Sequence, residues 1–116
     1  GNIGDTVVAA YRQNPCLRFL VVEPLPSTYM YLRLTLRANH VPELTAARFR
    51  NGGRGGVLAL QTALTADARV LTFRSRRSNS RIASSYEHKG EAVEVRTRKL
   101  VDVFTDLRIT MLEMLK

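Results

Sequence analysis

The sequence predicts an all-β domain with one short helix: a small five-stranded barrel over residues 29–116, preceded by an N-terminal extension over residues 1–28. Three observations lead there. Leu32, Leu34 and Leu36 alternate with Arg33, Thr35 and Arg37, the period-two pattern of a half-buried strand. Short apolar runs then recur at 57–64, at 70–73 and around Val93 and Val95, separated by glycine-rich or polar connections. Finally, 116 residues with 45% hydrophobic and 24% charged side chains fit a single core.

Within the extension, Asp5 caps a short helix through Val8, Ala9 and Tyr11 that Asn14-Pro15 ends. An apolar strand at 17–22 follows and is broken by Pro24 and Pro26; lying outside the barrel, it is expected to dock on a sheet edge. The first barrel strand spans 29–37. Asn51-Gly52-Gly53-Arg54-Gly55-Gly56 supplies a tight turn into the second strand at 57–64, since glycine tolerates positive φ. No Lys-Ser/Thr pair follows it, so it is not a P-loop, and one Arg-Gly-Gly is not a disordered RNA-binding tract. The connection 65–68 leads to a third strand at 70–73, a helix at 78–88 ended by Gly90, and a fourth strand through Val93 and Val95. The last segment reads two ways. Leu100, Phe104, Leu107, Met111 and Leu115 fit a helical stripe, whereas Leu107, Ile109 and Met111 alternate as a strand does.

The charge is high and local. Lys and Arg number 18 against 10 acids, for a net charge of +8, and fifteen of the basic residues are arginine, whose planar fork suits phosphate. Between residues 48 and 81 stand Arg48, Arg50, Arg54, Arg69, Arg74, Arg76, Arg77 and Arg81 against Asp67 alone. A single cysteine, Cys16, makes neither a disulfide nor a metal centre and is expected to be a small buried hydrophobe in a reducing, intracellular setting. His40 and His88 lie in no nucleophile or metal motif, so neither catalysis nor a cofactor is expected; no run is long enough for a membrane span.

The order strand, glycine-rich turn, two strands, helix, strand and final segment is that of an OB-fold. Val41-Pro42-Glu43, Asn51-Gly52 and Val57-Leu58-Ala59-Leu60-Gln61-Thr62-Ala63 resemble the D-P-E, x-N-G and V-A-N-F-S-L-A segments of bacterial-type single-stranded DNA-binding proteins. Arg69-Val70-Leu71-Thr72-Phe73 is similar to that family's R-V-V-x-F strand, and Ala83, Tyr86, Lys89 and Gly90 to its A-x-x-Y-x-x-K-G helix end. The resemblance runs from Tyr29 to Arg98. It implies a fifth strand at 107–111, core roles for Phe73 and Tyr86, sequence-independent binding of single-stranded RNA or DNA, and assembly with other OB-fold subunits as a homo- or hetero-oligomer. The chain departs from the family in having no tryptophan, in carrying Arg74 and Val41 where the family has glycine and aspartate, and in its short loops at 65–68 and 99–106, so modest affinity is expected. More loosely, the pattern resembles the OB-fold interaction proteins of the kinetoplastid mitochondrial RNA-editing complex, which implies the alternative of a mitochondrial protein–protein scaffold.

These readings converge on one set of nucleic-acid-binding candidates. Arg33 and Arg37 on the first strand and Arg48, Arg50 and Arg54 around the glycine-rich turn are expected to border a groove, with Tyr31 and Phe49 as stacking aromatics. Arg96 and Arg98 match the family's basic fourth strand and are expected to contact phosphates.

Overall fold

Two short runs with no polar side chain, Phe19-Leu20-Val21-Val22 and Val57-Leu58-Ala59-Leu60, form the centre of the fold. Such runs suit strands covered on both faces. The computed structural model, which describes residues 3–67, 69–74 and 92–110, pairs β1 (Arg18–Val22) with β2 (Gly56–Leu60) in parallel. Arg18 stands opposite Gly56, and Val22 opposite Leu60. Parallel neighbours need a crossover, here supplied by α2 (Pro26–Ala38) and α3 (Ala46–Asn51).

Side chains alternate across the strand pair and so feed two cores. Val21 and Val57 pack with Val7 and Val8 of α1 (Ile3–Gln13), Leu32 and Leu36 of α2, and Val41. On the other face Leu58 meets Leu44, Phe49 of α3, Val103 of α4 (Leu100–Asp106) and Leu107. Each fully buried leucine or valine contributes about 1.5–3 kcal/mol, so both clusters hold the sheet between helical layers. A second sheet has the order β3 (Ala63–Thr65), β5 (Ala92–Lys99), β4 (Val70–Arg74), with β5 parallel to β3 and antiparallel to β4. The buried Thr62 links the sheets, its Oγ1 donating to the Arg96 carbonyl at 2.8 Å. Thr97, also buried, accepts the Arg69 N–H at 2.7 Å, donates to the Arg69 carbonyl and lies 2.9 Å from Thr65 Oγ1.

The all-β barrel is therefore corrected to a mixed α/β arrangement of a two-stranded and a three-stranded sheet, with no closed barrel among the described residues. The strand expected at 29–37 is helix α2. Pro26 occupies its first turn, where its fixed φ and missing N–H cost nothing, and Leu32 and Leu36, one turn apart, are both 0% exposed while Leu34 is 53% exposed. A strand would have buried all three together. Residues 51–56 are no hairpin turn, because they join α3 to β2. The second strand is split at Gln61 and Thr62, and the strands on either side of 65–68 are not a hairpin, because β5 lies between them.

The strand expected at 17–22 does form and docks on a strand of the same chain, β2, and Val7, Val8 and Val21 share a core with Leu32 and Leu36 across the expected boundary at residue 28. At the other end, no strand forms over 107–110: α4 occupies 100–106 and Leu107 closes it. The third and fourth strands agree with β4 and β5. Cys16 is exposed in the turn before β1, not buried. The helix expected at 78–88, Tyr86, Arg76, Arg77, Arg81, Met111 and Leu115 lie outside the described residues.

Candidate functional site

The short helix α3 places the arginines that follow Thr45. Thr45 Oγ1 accepts the Arg48 N–H at 3.1 Å and so caps the first turn, while Gly52, at φ +77°, takes the chain out of the helix after Asn51. Phe49 points inward and is 6% exposed, in the core with Leu44, Leu58, Val103 and Leu107. Successive helical residues turn by about 100°, so Arg48 and Arg50, flanking Phe49, emerge on either side of it. Arg48 is exposed, Arg50 is half-buried, and Arg54 is exposed in the glycine-rich loop.

That loop lies directly on the segment before β1. The Gly56 N–H donates to the Leu17 carbonyl at 3.1 Å, and a Cβ on Gly55 would stand 2.0 Å from the Pro15 carbonyl oxygen. Because Arg18 opens β1 opposite Gly56, it reaches the same place: Nη1 donates to the Phe49 carbonyl, and the guanidinium sits 5.3 Å from the centroid of the Phe49 ring. Arg18, Arg48, Arg50 and Arg54 thus belong to segments that meet at the amino-terminal edge of the parallel pair. Arg18 was not legible as part of this group, since its place depends on a register between strands 38 residues apart in sequence.

The other expected residues are placed differently. Arg33 and Arg37 lie one turn apart on α2 and share Glu43, at 2.8 Å and 3.4 Å. The hydrogen bond to Glu43, then its charge, holds the Arg33 guanidinium above its already high ordinary range, so it stays protonated at any relevant pH. Arg98 is 2.6 Å from Asp106, and Arg96 lies exposed on the same face of β5, opposite the buried Val95 and Thr97. Among the described residues no hydrogen bond or ion pair joins Arg96 or Arg98 to Arg48, Arg50 or Arg54. Tyr31 is 56% exposed on the outer face of α2, whereas Phe49 offers no free ring to a base.

Among the described residues, the ion pairs belong to Arg33 and Arg37 with Glu43, Arg69 with Asp67 and Arg98 with Asp106; Arg18, Arg48, Arg50 and Arg54 form none. Among the same residues no cluster of histidine, cysteine and carboxylate side chains is placed to hold a metal ion, and no helix is long and apolar enough to cross a membrane. No protein-family model matches the chain, and no curated protein or solved structure matches it.

Proposed function

We propose that the protein binds the sugar–phosphate backbone of single-stranded RNA or DNA without reading its sequence, through Arg48, Arg50 and Arg54. The observation that carries this reading is the division of labour among the arginines: four are paired with carboxylates elsewhere, while these three, carried by α3 and the loop that follows it, form no ion pair among the described residues. Uncompensated arginines on and after a short helix favour a polyanion, because each phosphate contact releases a condensed counterion. Arginine contacts to phosphates position a strand without reading its bases. The ring of Phe49 is covered, so stacking contributes little and the electrostatic component dominates.

The test is a titration of labelled oligo(dT) and oligo(U) of about 16 nucleotides, near the upper site size of a small single-strand-binding domain, followed by anisotropy across a salt series. Three phosphate contacts give a slope of log K against log salt near −2. The triple variant Arg48→Ala, Arg50→Ala, Arg54→Ala is expected to remove most of that slope. Absence of binding at low salt, or a slope indifferent to the triple variant, ends the reading. Equal affinity for duplex of the same length would leave backbone binding intact and remove its preference for single strands.

A further inference from the structure

Helix α2 carries apolar side chains on two opposite faces. Leu32 and Leu36 fill the core, yet Met30 and Leu34 are each 53% exposed and Tyr31 is 56% exposed. Positions 30 and 34 are one turn apart, and 31 and 34 are neighbours across the turn, so these three side chains form one patch on the outward face. Isolated exposed hydrophobics are ordinary, whereas a contiguous patch on a regular helix marks a contact surface. Its flank is charged in one sense. Arg33 takes the close contact with Glu43, and Arg37, with 63% of its side chain exposed, stands at 3.4 Å from the same carboxylate. One acid thus faces two arginines, and the flank keeps a net positive charge.

We infer that the face of α2 formed by Met30, Tyr31 and Leu34, with Arg37 on its flank, docks an amphipathic helix of another protein that carries acidic residues beside its apolar stripe. The apolar patch supplies the burial and the unbalanced arginine selects the sign of the partner's charge. A second copy of this chain is a poor occupant, because it brings the same arginines and a further net charge of +8. Nucleic acid is a poorer one, since Tyr31 and Arg37 can meet a base and a phosphate but Met30 and Leu34, which make up most of the apolar patch, offer no donor. This surface is on a different helix from the arginines proposed to hold nucleic acid, so either assignment can fail without the other.

The test uses the whole chain and two synthetic helical peptides with leucines at alternating three- and four-residue spacing, one flanked by glutamates and the other by lysines at the same positions. Methyl and aromatic NMR is expected to show the acidic peptide shifting Met30, Tyr31 and Leu34, with the basic peptide binding at least about tenfold more weakly. Leu34→Asp, and separately Met30→Asp, are expected to weaken the acidic peptide by about tenfold or more with an unchanged melting temperature, since both sites are exposed. The proposal is overturned if neither peptide binds, if both bind alike, or if the shifts fall on another face. It is overturned equally if light scattering finds a dimer that Leu34→Asp dissociates, or if oligo(dT) shifts Met30 and Leu34.

Discussion

Arg18 and Phe49 hold the end of β1 to the end of α3: the guanidinium donates to the Phe49 carbonyl and covers the face of its ring. The contact satisfies a carbonyl that the short helix leaves without an N–H partner and closes off an aromatic that its neighbours, Arg48 and Arg50, would otherwise frame as a base-stacking site. Arg18→Ala removes a charge-assisted hydrogen bond and a partly exposed cation–π contact together, for an expected loss of about 1–2 kcal/mol. Urea unfolding measures it. Arg18→Lys should recover little, because an ammonium cannot bond the carbonyl and lie flat on the ring at once.

The paired arginines should matter less to nucleic acid than the unpaired ones. Arg33→Ala with Arg37→Ala is expected to lower the salt slope of oligo(dT) binding by less than the loss from the Arg48, Arg50 and Arg54 triple, because Glu43 offsets one of their two charges. Equal losses in anisotropy titrations would mean diffuse attraction by the whole basic surface.

Gly55 is a steric requirement. Its missing Cβ leaves room for the Pro15 and Leu17 carbonyls, which a methyl would meet at 2.0 Å and 2.7 Å. Both are backbone atoms and cannot swing aside, so Gly55→Ala is expected to cost on the order of 3 kcal/mol. Gly53→Ala meets no atom within 4 Å but sits at φ +96°, so its smaller cost is conformational. Paired denaturation curves should rank Gly55 as the more damaging.

Leu32 and Leu34 separate a helix from a strand in a single comparison. Leu32→Ala should cost about 2–5 kcal/mol, whereas Leu34→Ala should stay within about 0.5 kcal/mol. A strand with one buried face would make the two losses alike, so similar midpoints would contradict α2.

His40 and Arg108 end two helices in the same way. Each is left-handed, at φ 58° and 56°, and the N–H of the next residue reaches back to the helix: Val41 to the Leu36 carbonyl at 2.9 Å, Ile109 to the Phe104 carbonyl at 2.8 Å. Glycine takes this conformation without the Cβ clash, so His40→Gly and Arg108→Gly are each expected to stabilise by about 1 kcal/mol. Thermal melts that fall instead would show that the side chains contribute contacts.

The sequence by itself determined the strands β1, β4 and β5, the helix α1 with its stop at Pro15, though it starts at Ile3, ahead of the expected cap Asp5, and the concentration of arginine after residue 47. These follow from local chemistry: β-branched and aromatic runs, a proline that cannot continue a helix, and simple charge counting. Tertiary structure decided the rest. An alternation of three leucines with polar residues satisfies a strand and, through Leu32 and Leu36, also one face of a helix; which pair is buried depends on α1 and β1 packing against it. The end of α2 carried no glycine to announce it, because His40 accepts the left-handed turn at its own cost. Likewise the parallel register of Arg18 with Gly56 joins segments remote in sequence, and only that pairing sets Arg18 on Phe49 and the glycine-rich loop beside the turn before β1. Residue type announces a charge or a hydrophobe locally, but its neighbours come from non-local burial, and those neighbours turned the expected stacking ring of Phe49 into core and left Arg48, Arg50 and Arg54 without an ion pair among the described residues.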